Sequence, residues 1–405
     1  MDLSIRRLAI SARLKMPRHR PRRLRHIQGI GVDTMGQMAD DSDVDYLRLE
    51  NLDVNIPPDA KAVEHTERAI RNGNSNSYLP FIGKRSLRDV AANHVSGLSG
   101  IKYSGKKNCT ISAGGLSGIL NVILATVEEG DEVIVTDPTY RGLTNRVLLA
   151  GGVPKFVPYT FKPGEEWKLD HDALRSAISP RTTAMLLMSP SMPTGGYFTL
   201  DDWKLISKLC VDNDLLLILD TAMERLLFDG RSVIHPAGLA GMAERTITVG
   251  SSSKELRMIG WRVGWIVGPE ELMTDIAAVS MANVVVPVGI AQDAVAIALE
   301  RSAHTMQEYV AELQARRDLI LTEFTGLPVG VPAGGWSLLL RVSDFGMDGV
   351  TASQKLLEQG ICATAMNGWG EVHGSQYIRF VFSNETQDRL KGIGKKVRKA
   401  LGVSV

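Results

Sequence analysis

The chain lacks the features that mark secreted and membrane proteins. It holds three cysteines in 405 residues, Cys109, Cys210 and Cys362, and they lie far apart. An odd and widely spaced set argues against a disulfide framework and favours buried thiols in a reducing compartment, the cytoplasm. No apolar run approaches the roughly 20 residues of a membrane-spanning helix. The net charge of +1 gives no general attraction to nucleic acids or membranes.

Charge is uneven only at the start of the chain. Residues 1–26 contain a single acid, Asp2, among the basic residues Arg6, Arg7, Arg13, Lys15, Arg18, Arg20, Arg22, Arg23 and Arg25. The segment lacks the long apolar core of a secretory signal. An organellar transit peptide and a nucleic-acid-binding arm share this composition. We interpret residues 1–40 as a basic N-terminal extension.

Apolar strand patterns alternate with helical patterns over most of the chain. The predicted strands are 109–112, 132–136, 155–159, 183–188, 215–219, 246–249 and 265–267, and the main predicted helices are 59–74, 86–98, 116–127 and 200–213. We expect Ser86 to cap the second helix, with Asp89 completing a near-capping box. The alternation predicts an α/β fold with a mostly parallel sheet covered on both faces.

The character of the chain changes after residue 299. A long charged helix is predicted at 308–325, followed by short strands around 336–342 and 377–382. These patterns predict a large domain at 59–299. A smaller α+β domain would comprise residues 41–58 and 300–405. In open sheets of this kind, ligands bind outside the carboxyl ends of the strands.

Lys254 has the most informative setting. It follows a predicted strand and the turn Ser251-Ser252-Ser253, and Arg262 comes eight residues later in a glycine-tryptophan frame. Desolvation in a pocket lowers the pKa of a lysine and makes it nucleophilic. Hydroxyls and a guanidinium suit a phosphate. A Schiff-base lysine beside a phosphate site is what pyridoxal phosphate (PLP) requires.

Three other strand ends carry candidate groups. Gly114 and Gly115 occupy a strand-to-helix turn whose N–H groups can bind an anion. Tyr140 can stack on a flat ring. Asp220 ends the most apolar strand, where a buried carboxylate needs a partner such as a pyridinium N–H. The glycine turn and Asp220, each taken alone, are equally compatible with tight packing or a structural hydrogen bond, and Tyr140 taken alone more often serves only in packing.

Arg379 lies in an apolar strand, Tyr377-Ile378-Arg379-Phe380. A guanidinium there must meet an acidic group, either a substrate carboxylate or a structural ion-pair partner.

Taken together, the chain resembles the class I/II aminotransferases, which are fold-type-I PLP enzymes, over about residues 45–400. The resemblance rests on motifs in family order: Tyr78, Gly83, Leu87-Arg88, Ser112-Ala113-Gly114, Gly130-Asp131-Glu132-Val133, Pro138-Thr139-Tyr140, Pro193-Thr194-Gly195, Asp220, Ser251 with Lys254, Gly260-Trp261-Arg262-Val263-Gly264, and Arg379.

The resemblance implies roles for these residues. Lys254 forms the Schiff base and then moves a proton, Asp220 pairs with the pyridine nitrogen, and Tyr140 stacks on the ring. The remaining cofactor contacts are expected from Gly114, Gly115, Leu116, Met192, Met223, Ser251, Ser253, Arg262 and, from the neighbouring subunit of a homodimer, Tyr78. Arg379 is expected to bind the substrate α-carboxylate. No metal is expected.

The chain departs from the family at three places. Met192 and Met223 stand where the family usually has an asparagine and a tyrosine that donate hydrogen bonds to the phenolic oxygen of PLP. Methionine cannot donate, so we expect a Schiff base with a higher pKa than is usual. Glu50 and Asn51 fall in a segment where the family has a glycine-acid-proline turn, and both are candidate substrate contacts. Further candidates are Trp336, Met366 and Trp369.

The resemblance leads to an aminotransferase that moves an amino group between an L-amino acid and a 2-oxo acid. One alternative is a PLP enzyme of the same fold with another outcome: a β-lyase, a decarboxylase, or a biosynthetic replacement or cyclisation enzyme. A second alternative is a non-catalytic PLP-binding regulator. The latter needs a DNA-reading domain, for which about 40 preceding residues are too few.

Overall fold

The structure is a computed structural model that describes residues 24–27 and 29–403. Most residues of the basic segment at 1–26, discussed above, therefore lie outside the described residues. No helix of the described part is long and apolar enough to cross a membrane.

The described residues form thirteen strands and twelve α-helices, besides short 3-10 helices. The strands are β1 Leu47–Arg48, β2 Cys109–Ser112, β3 Glu132–Asp137, β4 Val153–Thr160, β5 Lys168–Leu169, β6 Thr182–Met188, β7 Leu216–Asp220, β8 Thr246–Ser251, β9 Gly264–Val267, β10 Ser337–Arg341, β11 Ile361–Cys362, β12 Thr364–Ala365 and β13 Tyr377–Val381. The helices are α1 Val32–Asp40, α2 Ala60–Ile70, α3 Arg85–Ser99, α4 Gly115–Thr126, α5 Arg141–Ala150, α6 His171–Ala177, α7 Leu200–Asp212, α8 Glu270–Asn283, α9 Gly289–Glu323, α10 Gly349–Leu357, α11 Gln387–Leu390 and α12 Ile393–Leu401.

A single eight-stranded sheet forms the centre of the molecule, in the order β2-β9-β8-β7-β6-β3-β4-β5. Strands β8, β7, β6, β3 and β4 are parallel neighbours, while β9 and the two-residue edge strand β5 are antiparallel to theirs. The predicted α/β fold with a mostly parallel sheet is confirmed. The sheet has one short strand more than the seven expected.

Both faces of the sheet are buried. Along β6, Ala184 and Leu186 pack into one apolar cluster, whereas Met185 and Leu187 pack into the cluster on the opposite face. Successive side chains of a strand point to opposite faces, so a strand buried on both faces appears in the sequence as one continuous apolar run.

The C-terminal part of the chain builds a second, smaller sheet, β10-β13-β12, in which neighbouring strands are antiparallel. The N-terminal segment joins this part because β1 pairs with β11 in parallel. Helix α1, which lies inside the segment interpreted as an extension, buries Met35 and Ala39. The Ser353 hydroxyl also contacts the Met35 sulfur.

Two helix starts differ from the sequence expectation. Helix α9 begins at Gly289 and not near residue 308, because its first third is apolar and packs on α2 and α3. Helix α3 begins one residue before Ser86, with Lys84 at the N-cap and no side-chain cap. The predicted near-capping box is wrong, since the Asp89 carboxylate accepts instead from Arg85 Nε at 2.7 and 2.8 Å.

Candidate active site

A cavity of about 140 Å³ opens at the carboxyl ends of the central strands. Its lining is contributed by Leu52, Gly115, Leu116, Tyr140, Met188, Met192, Asp220, Ala222, Met223, Ser251, Ser253, Lys254, Ile259 and Arg262. Most of these residues lie at the ends of β2, β3, β6, β7 and β8 or in the segments after them, and Leu52 comes from the N-terminal segment. Parallel strands that end at one edge bring these segments together.

Lys254 follows β8 through a two-residue turn and extends into the cavity. Its Nζ donates to the carbonyl oxygen of Leu52 at 3.1 Å and lies 4.3 Å from the centre of the Trp336 ring. Burial lowers the pKa of the amine to about 8, against the opposing charge of Asp53, and the nearby Arg379 charge lowers it further. A larger share of the amine is therefore neutral near pH 7 than in an ordinary lysine, as a nucleophile requires.

Asp220 ends β7 and is only 6% exposed. Burial raises the pKa of its carboxyl to about 6, although the Ala222 N–H donates to Oδ1 at 3.0 Å. Burial thus destabilises the ionised carboxylate, and a cationic or N–H partner in the cavity would offset this desolvation free energy.

An anion-binding cup lies beside these two residues. Helix α4 begins at Gly115, so its free N–H groups face the cavity. Gly114 has a φ of 90°, and a side chain there would collide with the Arg262 guanidinium. The hydroxyls of Ser251 and Ser253 lie 3.0 Å apart, and Arg262 Nη1 is 3.4 Å from the Ser253 oxygen. Guanidinium, hydroxyl and helix N–H groups are the donors that a phosphate takes.

Aromatic and thioether groups form the other walls of the cavity. Tyr140 is the N-cap of α5, and its ring centre lies 5.4 Å from that of Trp369. Met192 and Met223 are 5% and 1% exposed, and both line the cavity. Neither methionine offers a hydrogen-bond donor there.

Arg379 is fully buried in β13 and only partly bonded. Nη2 donates to the Glu50 carbonyl oxygen and to Thr364 Oγ1, both at 3.0 Å. Nε and Nη1 have no hydrogen-bond partner among the described residues. Burial lowers the pKa of the guanidinium to about 10, despite the opposing influence of Tyr140 and Glu50. Buried unbonded donors are costly, and a carboxylate would satisfy them.

Some candidate residues lie outside the cavity lining: Glu50, Asn51, Tyr78, Gly114, Trp336, Met366, Trp369 and Arg379. The buried Glu50 carboxyl accepts from Arg48 Nε at 2.7 Å, and only its main-chain oxygen contacts Arg379. Asn51 is half-buried. Tyr78 is 83% exposed. Substrate contacts by Glu50 and Asn51, and a cofactor contact by Tyr78, stay predictions.

Several functional contacts were missed by sequence reasoning. The Leu52 carbonyl bonds Lys254, Thr364 anchors Arg379, and Trp336 covers the Lys254 amine. A main-chain carbonyl and a threonine carry no sequence signal. Trp336 was expected near the substrate, and its contact with the lysine depends on how the small sheet packs against the large one.

The family model described as "Aminotransferase class I and II" matches residues 48–393. The chain belongs to this family. Members depend on PLP and transfer amino groups, so the protein is an aminotransferase.

Individual relatives agree with that assignment. The aminotransferase is 30% identical over 344 residues to aromatic-amino-acid aminotransferase 2 of Thermococcus litoralis, covering 82% of this chain and 87% of the relative. It is 28% identical over 395 residues to human kynurenine–oxoglutarate transaminase 1, covering 88% and 93%. The solved N-succinyldiaminopimelate aminotransferase from Mycobacterium tuberculosis superposes with a TM-score of 0.87 at 29% identity, covering 94% of this chain and 100% of the other.

The polar groups of the aminotransferase cavity fit the family's cofactor. The anion cup suits its phosphate, the Lys254 amine suits its aldehyde, and the Asp220 carboxylate suits its pyridine nitrogen. Among residues 24–27 and 29–403 there is no cluster of three or more histidine, cysteine or acidic side chains arranged to bind a metal.

Proposed function

We propose that this aminotransferase binds PLP in the cavity at the strand ends and exchanges an amino group between an L-amino acid and a 2-oxo acid. The observation that carries the proposal is the shared position of three groups. The Lys254 amine, the Asp220 carboxylate and the anion cup around Arg262 line one cavity. When bound, PLP supplies an aldehyde that condenses with amines and a ring that accepts the electrons released at Cα.

Each side chain has a separate task in this proposal. Lys254 holds the cofactor by its Nζ and, once released, carries a proton on that same atom. Asp220 keeps a proton on the pyridine nitrogen, since a buried carboxylate stabilises a nearby cation. Tyr140 orients the ring, and Ser251 and Arg262 bind the phosphate together with the start of α4.

Arg379 is proposed to bind the α-carboxylate of the substrate. Its Nε and Nη1 are buried donors without a partner among the described residues. A carboxylate oxygen is the strongest acceptor that an amino acid offers to a guanidinium. The same contact serves the 2-oxo acid, because both substrates keep this carboxylate.

A homodimer with shared active sites is part of the proposal. Tyr78 and Phe81 are 83% and 48% exposed, which is unusual for large aromatic side chains. A second copy that covers this segment would bury them and bring Tyr78 to the partner's anion cup. The buried thiols Cys109, Cys210 and Cys362 agree with a reducing compartment such as the cytoplasm.

A second function, a PLP enzyme of the same fold with another outcome, is favoured by one observation. Met192 and Met223 leave the cavity without the two donors that the family usually provides. Changed polarity at the cofactor can redirect the reaction to a β-lyase, decarboxylase, replacement or cyclisation outcome.

The experiment is an amino-donor panel. The purified protein is mixed with each of the common L-amino acids, and absorbance follows the cofactor. Conversion to the pyridoxamine form, reversed by a 2-oxo acid, supports transamination. Pyruvate and ammonia released together from one donor would favour the lyase. No spectral change with any donor would contradict both.

A further inference from the structure

Residues 366–374, which we call the Trp369 loop, connect β12 to β13 and are held by one buried carboxylate. Asp137 ends β3 and is fully buried. Its Oδ2 accepts from the N–H groups of Glu371 at 2.8 Å and Val372 at 2.7 Å, and its Oδ1 accepts from the N–H of His373 at 3.2 Å. Three main-chain donors on one carboxylate fix a loop strongly, because hydrogen bonds to charged groups are the strong ones.

The residues after Asp137 add two contacts to the same loop. The Thr139 N–H donates to the Trp369 carbonyl oxygen at 2.9 Å, and Arg141 Nη1 donates to the Gly368 carbonyl oxygen. Gly370 lies so close to Asp137 that any side chain there would collide with the carboxylate. The end of β3 and the residues just after it therefore hold the Trp369 loop in place by hydrogen bonds.

The loop in turn positions the Trp369 ring. The guanidinium carbon of Arg379 lies 4.7 Å from the ring centre, and the Tyr140 ring centre lies 5.4 Å away. Trp369 thus covers Arg379, while Glu50 and Thr364 hold its Nη2. Hydrogen bonds fix Nη2, and the Trp369 indole covers one face of the Arg379 guanidinium. The N–H groups of Nε and Nη1 therefore point in a fixed direction.

We propose that Asp137 is a positioning residue for substrate binding. It acts through the Trp369 loop to hold the indole against Arg379, and so orients the free guanidinium donors for the substrate carboxylate. The proposal rests on the proposed role of Arg379. It adds that a carboxylate without any contact to substrate or cofactor sets the affinity for the amino acid.

The test uses the PLP-loaded protein and the L-amino acid that reacts fastest in the donor panel. The half-reaction is followed by stopped-flow absorbance as the amino-acid concentration is varied. We expect Asp137→Asn to raise the half-saturating concentration about tenfold and to change the limiting rate less than about twofold, since the carboxylate contact is the same before and during the reaction. The spectrum and affinity of the cofactor should not change.

Two further variants separate this effect from lost folding. Gly370→Ala pushes the loop off the carboxylate without removing charge and should raise the half-saturating concentration in the same way. Glu132→Gln is the matched control. Glu132 is a buried carboxylate at the other end of β3 that accepts from Ser179 and Arg181. It should lower the melting temperature and leave the half-saturating concentration unchanged.

Arg379→Lys separates the proposed carboxylate site at Arg379 from the proposed positioning role of Asp137. We expect it to weaken amino-acid binding more than Asp137→Asn does. If Arg379→Lys weakens binding while Asp137→Asn and Gly370→Ala bind as the wild type does, the role of Asp137 is refuted and the carboxylate site stands. If Arg379→Lys itself binds normally, the carboxylate site fails and the role of Asp137 fails with it. Should Asp137→Asn not fold, Gly370→Ala alone decides.

Discussion

Asp220 is a residue whose charge the cofactor-free fold does not favour. Burial raises the pKa of its carboxyl to about 6, above the ordinary value of 3.8. We predict that Asp220→Asn stabilises the cofactor-free protein at pH 7 by about 3 kcal/mol, because the amide keeps the shape and removes the buried charge. Thermal or urea unfolding measures this change.

The pH dependence gives the sign of the Asp220 effect. The folded-state pKa lies above the unfolded one, so the folded state binds the proton more tightly. The cost of the charge is therefore fully present above about pH 6 and absent below about pH 4. The gain from Asp220→Asn should vanish across this window. A variant that is less stable than wild type at pH 7 would contradict the account.

Met192 and Met223 should alter the titration of the bound cofactor. Donors that stabilise the phenolate favour loss of the Schiff-base proton, and thioethers cannot donate. We predict that Met223→Tyr or Met192→Asn lowers the pH of the cofactor's spectral change by about one unit. Met188→Leu, an apolar exchange in the same cavity, should leave the titration unchanged. A wild-type protein whose cofactor already titrates well below neutrality would refute the prediction.

An ion pair joins the segment after β7 to the segment after β8. Arg225 follows β7 and Glu255 follows Lys254, and their side chains are 15% and 6% exposed. The main-chain N–H and Nε of Arg225 each donate to the Glu255 carboxylate at 2.7 Å. The turn that carries Lys254 is thereby tied to the turn after Asp220.

Breaking this pair should cost stability. Glu255→Gln replaces one carboxylate oxygen by an NH₂ group, which cannot accept a hydrogen bond from Arg225. One of the two Arg225 donors then lacks its acceptor, and we predict a loss of about 2 kcal/mol in the free energy of unfolding. Asp201→Asn is the control, since Asp201 pairs with Lys204 on the surface with side chains 83% and 60% exposed. It should cost less than about 0.5 kcal/mol. If both variants lower the free energy of unfolding equally, the Arg225–Glu255 pair stabilises the protein no more than a surface ion pair does.

The strands and helices also show which site residues can be predicted from the sequence. A strand buried on both faces is a continuous apolar run, and a residue just after such a run falls at the sheet edge where ligands bind. Lys254, Asp220 and Tyr140 were predictable for that reason, and all three line the cavity. The three N–H groups bonded to Asp137 lie more than 230 residues further along the chain. No local pattern in the sequence predicts such a contact.

At the scale of the whole molecule, the shared-site dimer can be tested by mixing inactive variants. Lys254→Ala removes the reactive amine, and Tyr78→Ala removes the residue proposed to serve the partner's site. In a mixed dimer, one of the two sites regains both residues. We predict that mixing the refolded variants restores roughly a quarter of wild-type activity, because about half the dimers are mixed and each holds one complete site.

The outcome of the mixing experiment depends on which subunit Tyr78 serves. If Tyr78 acts within its own subunit, every site lacks one residue and mixing restores nothing. Size-exclusion chromatography of each variant is the control that dimers form. A monomeric wild-type protein would contradict the shared site directly.

The central claim is that Lys254 is the residue bonded to the cofactor. Borohydride reduction of the PLP-loaded protein fixes such a bond, and peptide mass spectrometry then locates it. The account predicts the phosphopyridoxyl mass on the peptide containing Lys254 and loss of the cofactor absorbance band in Lys254→Ala. A label on another lysine, or a band and activity that persist in Lys254→Ala, would contradict it.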